Sequence, residues 1–207
     1  MIRPRGFRGA AFGSAADGDG RLDPEARRRI SQELGIGAEW AYLHQVHGRL
    51  VRRAAGPGLQ GDGDALFTTV PGLPLAVGVA DCLPVVLESP DGVGLAHVGW
   101  RGAAAGVVTA LREAMEAAGV TPQQAAVGPG IGPCCYEVGP EVQDRLPAFR
   151  SRTRQGGDGV DLPAAVAAAL AGLGVWQAEA CTCCGAGFHS FRRDATLQRQ
   201  VGVAWLA

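Results

Sequence analysis

Three apolar runs, at residues 75–80, 84–88 and 93–98, constrain the fold more than any other feature of this chain. Each is too short for a helix and each is bounded by turn-forming residues, so they read as buried strands. Asp91-Gly92 is a hairpin signal leading into the third run. The break between the first two carries Asp81 and Cys82. Helical segments alternate with the strands. Asp23 caps and Pro24 opens a helix that is expected to run to about Leu34 and stop at Gly35. The longest helix is expected over residues 103–118, closed by Gly119. Other strands are expected at 41–47, with 50–54 as its partner, and at 125–127, 175–180 and 201–206; other helices at 140–146 and from Asp161 to near Gly172. Residues 8–20 and 150–159 read as loops, the second polar and mobile. No linker or repeat interrupts the series, so 207 residues are expected to make one domain.

Charge and cysteine usage narrow the function. With 19 basic and 20 acidic residues there is no single-signed field for nucleic acid or a membrane surface. No apolar run approaches the ~18 residues that span a bilayer. No apolar stretch follows the basic residues near Met1, so a cytoplasmic location is expected. Five of the six cysteines crowd into 134–135 and 181–184, a poor disulfide framework. Cys181-Thr182-Cys183-Cys184 has no second Cys or His pair at zinc-finger spacing. The cluster therefore reads as small thiols packed beneath a site.

That site is expected at His47, Cys82 and His97. Two imidazoles and a thiolate suit zinc, and three protein ligands leave a fourth position open for water or substrate. If residues 41–47 are one strand, His47 shares a face with Gln45 and opposes His44, which lines the pocket from another direction at most. Asp81 beside Cys82 is placed to orient a ligand histidine or accept a proton. Arg101 follows His97 at the start of the long helix, where a guanidinium and unpaired N–H groups suit a phosphate.

The motifs that carry these residues resemble those of the YfiH-like family, also called laccase-domain or multicopper polyphenol oxidase-like proteins. They are Gln45-Val46-His47-Gly48, Gly63-Asp64-Ala65-Leu66, Ala80-Asp81-Cys82-Leu83-Pro84, Ala96-His97-Val98-Gly99-Trp100-Arg101-Gly102, the stretch from Gly128 to Gly139, and Cys181-Thr182 with Phe191-Arg192-Arg193-Asp194. The resemblance implies an α/β fold of mixed sheets flanked by helices, with a cytotoxic necrotizing factor-like cysteine hydrolase architecture. It implies zinc on His47, Cys82 and His97. It implies phosphorolysis of adenosine, inosine, guanosine and methylthioadenosine, with deamination of adenosine. Arg8 is the match to a family arginine and a phosphate-binding candidate, although the N-terminal segment is shortened. His189 stands where Phe or Tyr is common.

Zinc with an open position lowers the pKa of water to about 7, which suits deamination or amide hydrolysis. Phosphorolysis would use phosphate held by Arg101 and Arg8. The substrate is thus expected to be a purine nucleoside with phosphate, and a monomer fits this reading. The alternatives are a metal- or Cys/His-dependent amidase that removes serine from a peptidoglycan precursor, and a non-catalytic binding module stabilised by zinc. Copper is disfavoured because the chain lacks His-x-His pairs and a Met-bearing ligand set.

Overall fold

The structure, a computed structural model, describes residues 1–207. In chain order the elements are β1 (Ala10–Phe12), α1 (Pro24–Leu34), β2 (Ala41–His44), β3 (Val51–Arg53), β4 (Gly58–Asp62), β5 (Ala65–Thr68), β6 (Leu75–Val79), β7 (Leu83–Ser89), β8 (Gly92–Val98), α2 (Trp100–Ala105), α3 (Val107–Ala117), β9 (Gln124–Val127), α4 (Pro140–Arg145), β10 (Arg150–Arg152), β11 (Asp158–Val160), α5 (Leu162–Ala169), β12 (Gly174–Gln177), α6 (Phe191–Asp194) and β13 (Gln200–Ala204).

They build two mixed sheets packed face to face and covered by helices. The first sheet has the order β1-β13-β6-β2-β4 and the second β12-β9-β7-β8-β5-β3. The reason lies in the three apolar runs. Val85 and Leu87 on β7 pack with Leu111 and Met115 of α3 and Val166 of α5, whereas Val86, between them, packs with Leu75, Val77 and Val79 of the first sheet. On β8, Ala96 and Val98 turn to the helices, and Val93 and Leu95 turn to the first sheet. Ile30 and Leu34 of α1 cover the far face of the first sheet with Ala76, Val201 and Val203. A strand covered on both sides needs apolar residues at every position, so alternation is absent from these runs. Gly94 lets α3 lie close: a Cβ there would sit 2.6 Å from Met115 Sδ. No helix is long and apolar enough to cross a membrane.

Several elements match the sequence reading and several correct it. The first helix has Asp23 accepting from the Glu25 and Ala26 N–H groups and Gly35 in the left-handed region at φ 70°. Residues 150–159 form the β10–β11 hairpin instead of a mobile loop, with Arg150 opposite Val160. Residues 10–12 pair with β13 as β1, inside what reads as loop. Residues 51–53 do not partner β2; they pair parallel with β5 in the other sheet. The long helix is two helices, because Gly106 at φ 78° closes α2 before α3 begins. The strand expected over 41–47 ends at His44.

Two features set up the site. The chain crosses from the first sheet to the second between β2 and β3, between β4 and β5, where Asp64 lies, and between β6 and β7. The first crossing carries His47 and the last Cys82. His97 stands two residues from Leu95 on β8 and so faces the other sheet, next to those two crossings. Leu95 is fully buried between the sheets. Leu95→Ala should cost about 2–5 kcal/mol in urea unfolding, with the fold retained; a loss within error of zero would mean the two sheets do not share that core.

Candidate metal centre

The nitrogen and sulfur atoms of His47, Cys82 and His97 lie within 4.8 Å of one another. The two imidazoles meet edge to face, with ring centroids 4.8 Å apart. No hydrogen bond links Cys82 Sγ to either ring, and Gly99 closes the space beside it: a Cβ there would lie 3.0 Å from Cys82 Sγ and 3.4 Å from the His47 ring.

Asp64, at the entrance to β5, organises the trio. Its side chain is completely buried. Oδ1 accepts from His97 Nδ1 at 2.9 Å and from the His47 N–H at 2.9 Å. Oδ2 accepts from the Gly48 N–H at 2.6 Å and the Val46 N–H at 3.3 Å. One carboxylate therefore fixes both histidines, His97 through its ring and His47 through its backbone. The grip on residues 46–48 explains why His47 tolerates φ 60°, a left-handed conformation uncommon for a side chain of this size. Burial pushes the Asp64 carboxyl up, but the bonds from His97, Gly48 and His47 outweigh it, and its pKa falls below the ordinary carboxylate value. Burial lowers the pKa of His97, against the opposing pull of Asp64. An ionised Asp64 only accepts, so the neutral His97 carries its proton on Nδ1 and presents the Nε2 lone pair. That is the state a metal ligand needs.

Cys82 is different. Burial first, then the Asp81 and Asp64 charges, push its thiol up to about 12, with Arg199 opposing. Nucleophilic cysteines have depressed pKa values; a thiol held this high ionises at neutral pH only against a cation. The donor set and its buried carboxylate partner fit a metal ion of the zinc kind, and no fourth protein donor joins the trio.

The other expected residues divide. Asp81 does not orient a histidine: its oxygens accept from Thr182 Oγ1 and from the Arg192 N–H, each at 2.7 Å, at a left-handed φ of 84°. That orienting task falls to Asp64. Gln45 does not share a strand face with His47. Its amide spans the Gly78 N–H and C=O, both at 2.9 Å, and its oxygen also accepts from Arg21, so it splices β2 to β6 beyond their last ladder pair. His44 is exposed at the rim and bonds Asp62 at 2.8 Å. Arg101 lines the cleft, its guanidinium carbon 4.2 Å from the Trp100 ring centroid. Arg8 is elsewhere. Its backbone N–H donates to Glu88, near the end of β7 and six residues beyond Cys82, so roughly 20 Å away. Gly9 bonds the same carboxylate, so this stretch lies at the opposite end of the sheet, and the N-terminal segment reaches the cleft only at Arg21 and Leu22.

The trio opens into a cleft of about 870 Å³. Four arginines line it, Arg21, Arg101, Arg192 and Arg199, against one carboxylate, Asp81. Flat surfaces come from Tyr42, Trp100, Tyr136 and Phe191. Sequence reasoning missed Asp64 and three of these arginines. Asp64 had one signal: an acid flanked by Gly63 and the apolar Ala65-Leu66-Phe67, hence an acid at the mouth of a buried strand.

Comparison with known proteins follows the same outline. A family profile described as multi-copper polyphenol oxidoreductase laccase matches residues 10–207. The protein called purine nucleoside phosphorylase in Deinococcus radiodurans is 40% identical over 199 residues, covering 90% of this chain and 77% of the relative. Purine nucleoside phosphorylase ORF3 of Streptomyces griseus is 41% identical over 204 residues, covering 89% and 83%. Among solved structures, YlmD of Geobacillus stearothermophilus superposes with a TM-score of 0.78 at 31% identity, covering 90% of this chain and 82% of that one. The Bacillus licheniformis protein YfiH shares the fold at a TM-score of 0.85 and 23% identity, over 96% and 92% of the two chains.

Removing the carboxylate tests the local account. Asp64→Ala leaves His97 free to rotate and three amides without an acceptor. Metal affinity in a competition titration should fall about 10–100-fold; unchanged affinity would mean His97 needs no such support.

Proposed function

Because this chain belongs to the multi-copper polyphenol oxidoreductase laccase family, matched over residues 10–207, we propose a function from the cleft that its site opens into: zinc-dependent phosphorolysis of purine nucleosides. The observation that carries it is the pairing of an open three-ligand site with a cleft that is both cationic and aromatic. Phosphate is an anion and suits the arginines; a purine is a flat ring and suits the aromatic faces. The names of the relatives support the same reading.

His47, Cys82 and His97 would hold the ion. Zinc, when bound there, supplies Lewis acidity without redox chemistry. Zinc is preferred to copper despite the family's description, since a blue-copper site adds an axial Met. Met115 lies on α3, buried in the core against β8, and Met1 lies beside Glu33. The chain's four histidines also leave too few for several coppers, as His44 pairs with Asp62.

In phosphorolysis a phosphate oxygen bonds to the ribose anomeric carbon as its bond to the purine nitrogen breaks, giving free base and ribose 1-phosphate. Arg101 binds and orients the phosphate, exposed enough to swing and stacked on Trp100. Arg21 is held by both oxygens of Asp19, at 2.9 and 2.7 Å, and lines the cleft as a fixed, paired guanidinium. Asp81 acts as a positioning carboxylate, tying Thr182 and the Arg192 backbone beside Cys82. Inosine, guanosine and methylthioadenosine would share the aromatic seat. Adenosine deamination would use the same seat with water instead of phosphate. A cysteine-hydrolase reading, including removal of serine from a cell-wall precursor, needs a base on Cys82 Sγ, and neither imidazole bonds it.

Incubation of the pure protein with adenosine and phosphate is the test. Adenine and ribose 1-phosphate should appear in equal amounts; inosine formed without phosphate consumption would mean deamination instead. Cys82→Ala should lose zinc and phosphorolysis together, and full activity in a metal-free Cys82→Ala protein would overturn the proposal. Arg101→Ala should raise KM for phosphate roughly tenfold and leave KM for adenosine near its starting value. Equal rises in both would place Arg101 outside the phosphate subsite.

A further inference from the structure

A second cluster of soft donors lies outside this cleft. We propose that Cys134, Cys135, Cys181 and Cys184 form a separate tetrathiolate site that binds one thiophilic divalent cation, with zinc as its first occupant. The four sulfur atoms all lie within 4.8 Å of one another. A zinc ion with bonds of about 2.3 Å to four thiolates has sulfur–sulfur edges near 3.8 Å, so this cluster closes on one ion with small adjustments. Cys184 Sγ stands 3.4 Å from Cys134 Sγ and 3.2 Å from Cys135 Sγ.

Three local features assemble it. The Cys135 and Tyr136 N–H groups both donate to the Gly132 carbonyl at 3.1 Å, curling the chain so that two adjacent cysteines reach one partner. Gly132 itself leaves room: a Cβ would sit 3.4 Å from Cys134 Sγ and 3.3 Å from the Cys181 Cβ. Across from it, Arg193 binds the carbonyls of Thr182 and Gly185 at 3.0 Å and of Phe188 at 2.7 Å, fixing the loop that carries Cys181 and Cys184.

The polar groups that reach the cluster from outside it only donate. Apart from cysteine sulfurs, the four have two hydrogen-bond partners, and both are donors: the Gly132 N–H to Cys181 Sγ at 3.2 Å and the Arg154 guanidinium to Cys184 Sγ at 3.5 Å. No carbonyl or carboxylate accepts from any of them. Four thiolates in contact repel one another unless a cation sits among them. All-sulfur donors select soft or borderline ions, and four protein ligands leave no open position, so the site is structural. Cys184 is exposed, which gives an ion entry from solvent, and binding releases the thiol protons to water.

The placement gives the ion a task. It joins the 132–137 turn to the 181–185 loop, and Ile131, Tyr136, Phe191 and Arg192 of the cleft wall flank those segments. Thr182, within the clamped loop, is the residue that bonds Asp81.

The test uses the full-length chain purified from zinc-supplemented medium, with zinc measured per polypeptide and Co2+ substitution read as a thiolate-to-cobalt charge-transfer band. Wild type should hold two zinc ions. Cys82→Ser should hold one and keep the strong all-sulfur band. Cys184→Ser, at the exposed position, and Cys134→Ser should each hold one and lose that band; using both variants guards against a fold defect in either. A wild-type protein whose zinc disappears entirely with Cys82→Ser would overturn the proposal, as would a disulfide among the four cysteines in place of metal. Failure of the phosphorolysis assay with two zinc ions present would count against the proposed reaction and leave this site standing.

Discussion

The buried carboxylate of Asp64 is the interaction on which the rest of the site depends. An ionised group with no solvent exposure is tolerated only when its oxygens are fully bonded. Here they are bonded to the two elements that must be brought together, the β8 histidine and the loop carrying the other histidine. The carboxylate thus converts a desolvation cost into geometry. It selects the His97 tautomer and holds His47 at a positive φ. Removing the side chain would expose a conflict that the fold itself cannot resolve, since three backbone amides would lose their acceptor at once.

The fold places that interaction where the chain changes sheets. A strand inside either sheet has both faces committed to apolar packing, so a polar site has no room there. The crossings from β2 to β3 and from β6 to β7 leave the ladders at the same end of the molecule. Their residues are free of ladder hydrogen bonds and take up unusual backbone conformations at His47 and Asp81. The cleft over them is then walled by segments from the C-terminal third, which Asp81 ties in through Thr182 and Arg192.

Much of this was legible in the sequence, and the failures have physical causes. The grouping of His47, Cys82 and His97 was readable because each stands beside an apolar run or a Gly-rich turn. The buried strands of the second sheet were readable because double coverage leaves an uninterrupted apolar signature. The α1 caps were readable because Asp-Pro and Gly act through local chemistry. β1 and β4 were not, since strands of three and five residues at a sheet edge are too short to show a period. The partner of β3 was missed because adjacency in sequence suggested a hairpin, whereas the chain had already changed sheets. Asp64 and the cysteine tetrad depend on residues brought together from 33 and about 50 positions apart, by a topology that spacing does not encode. The thiols read as packing beneath the site form a cluster of their own. Arg8 was placed near phosphate by family resemblance alone, whereas its backbone bonds Glu88 at the far end of β7.

The account stands most directly on an anomalous diffraction map collected at the zinc edge from crystals of the intact protein. It predicts a peak bonded to His47, Cys82 and His97 with a single non-protein ligand in the fourth place, and Asp64 still on His97 Nδ1. No peak among those three residues, or a fourth protein side chain completing the sphere, would contradict it.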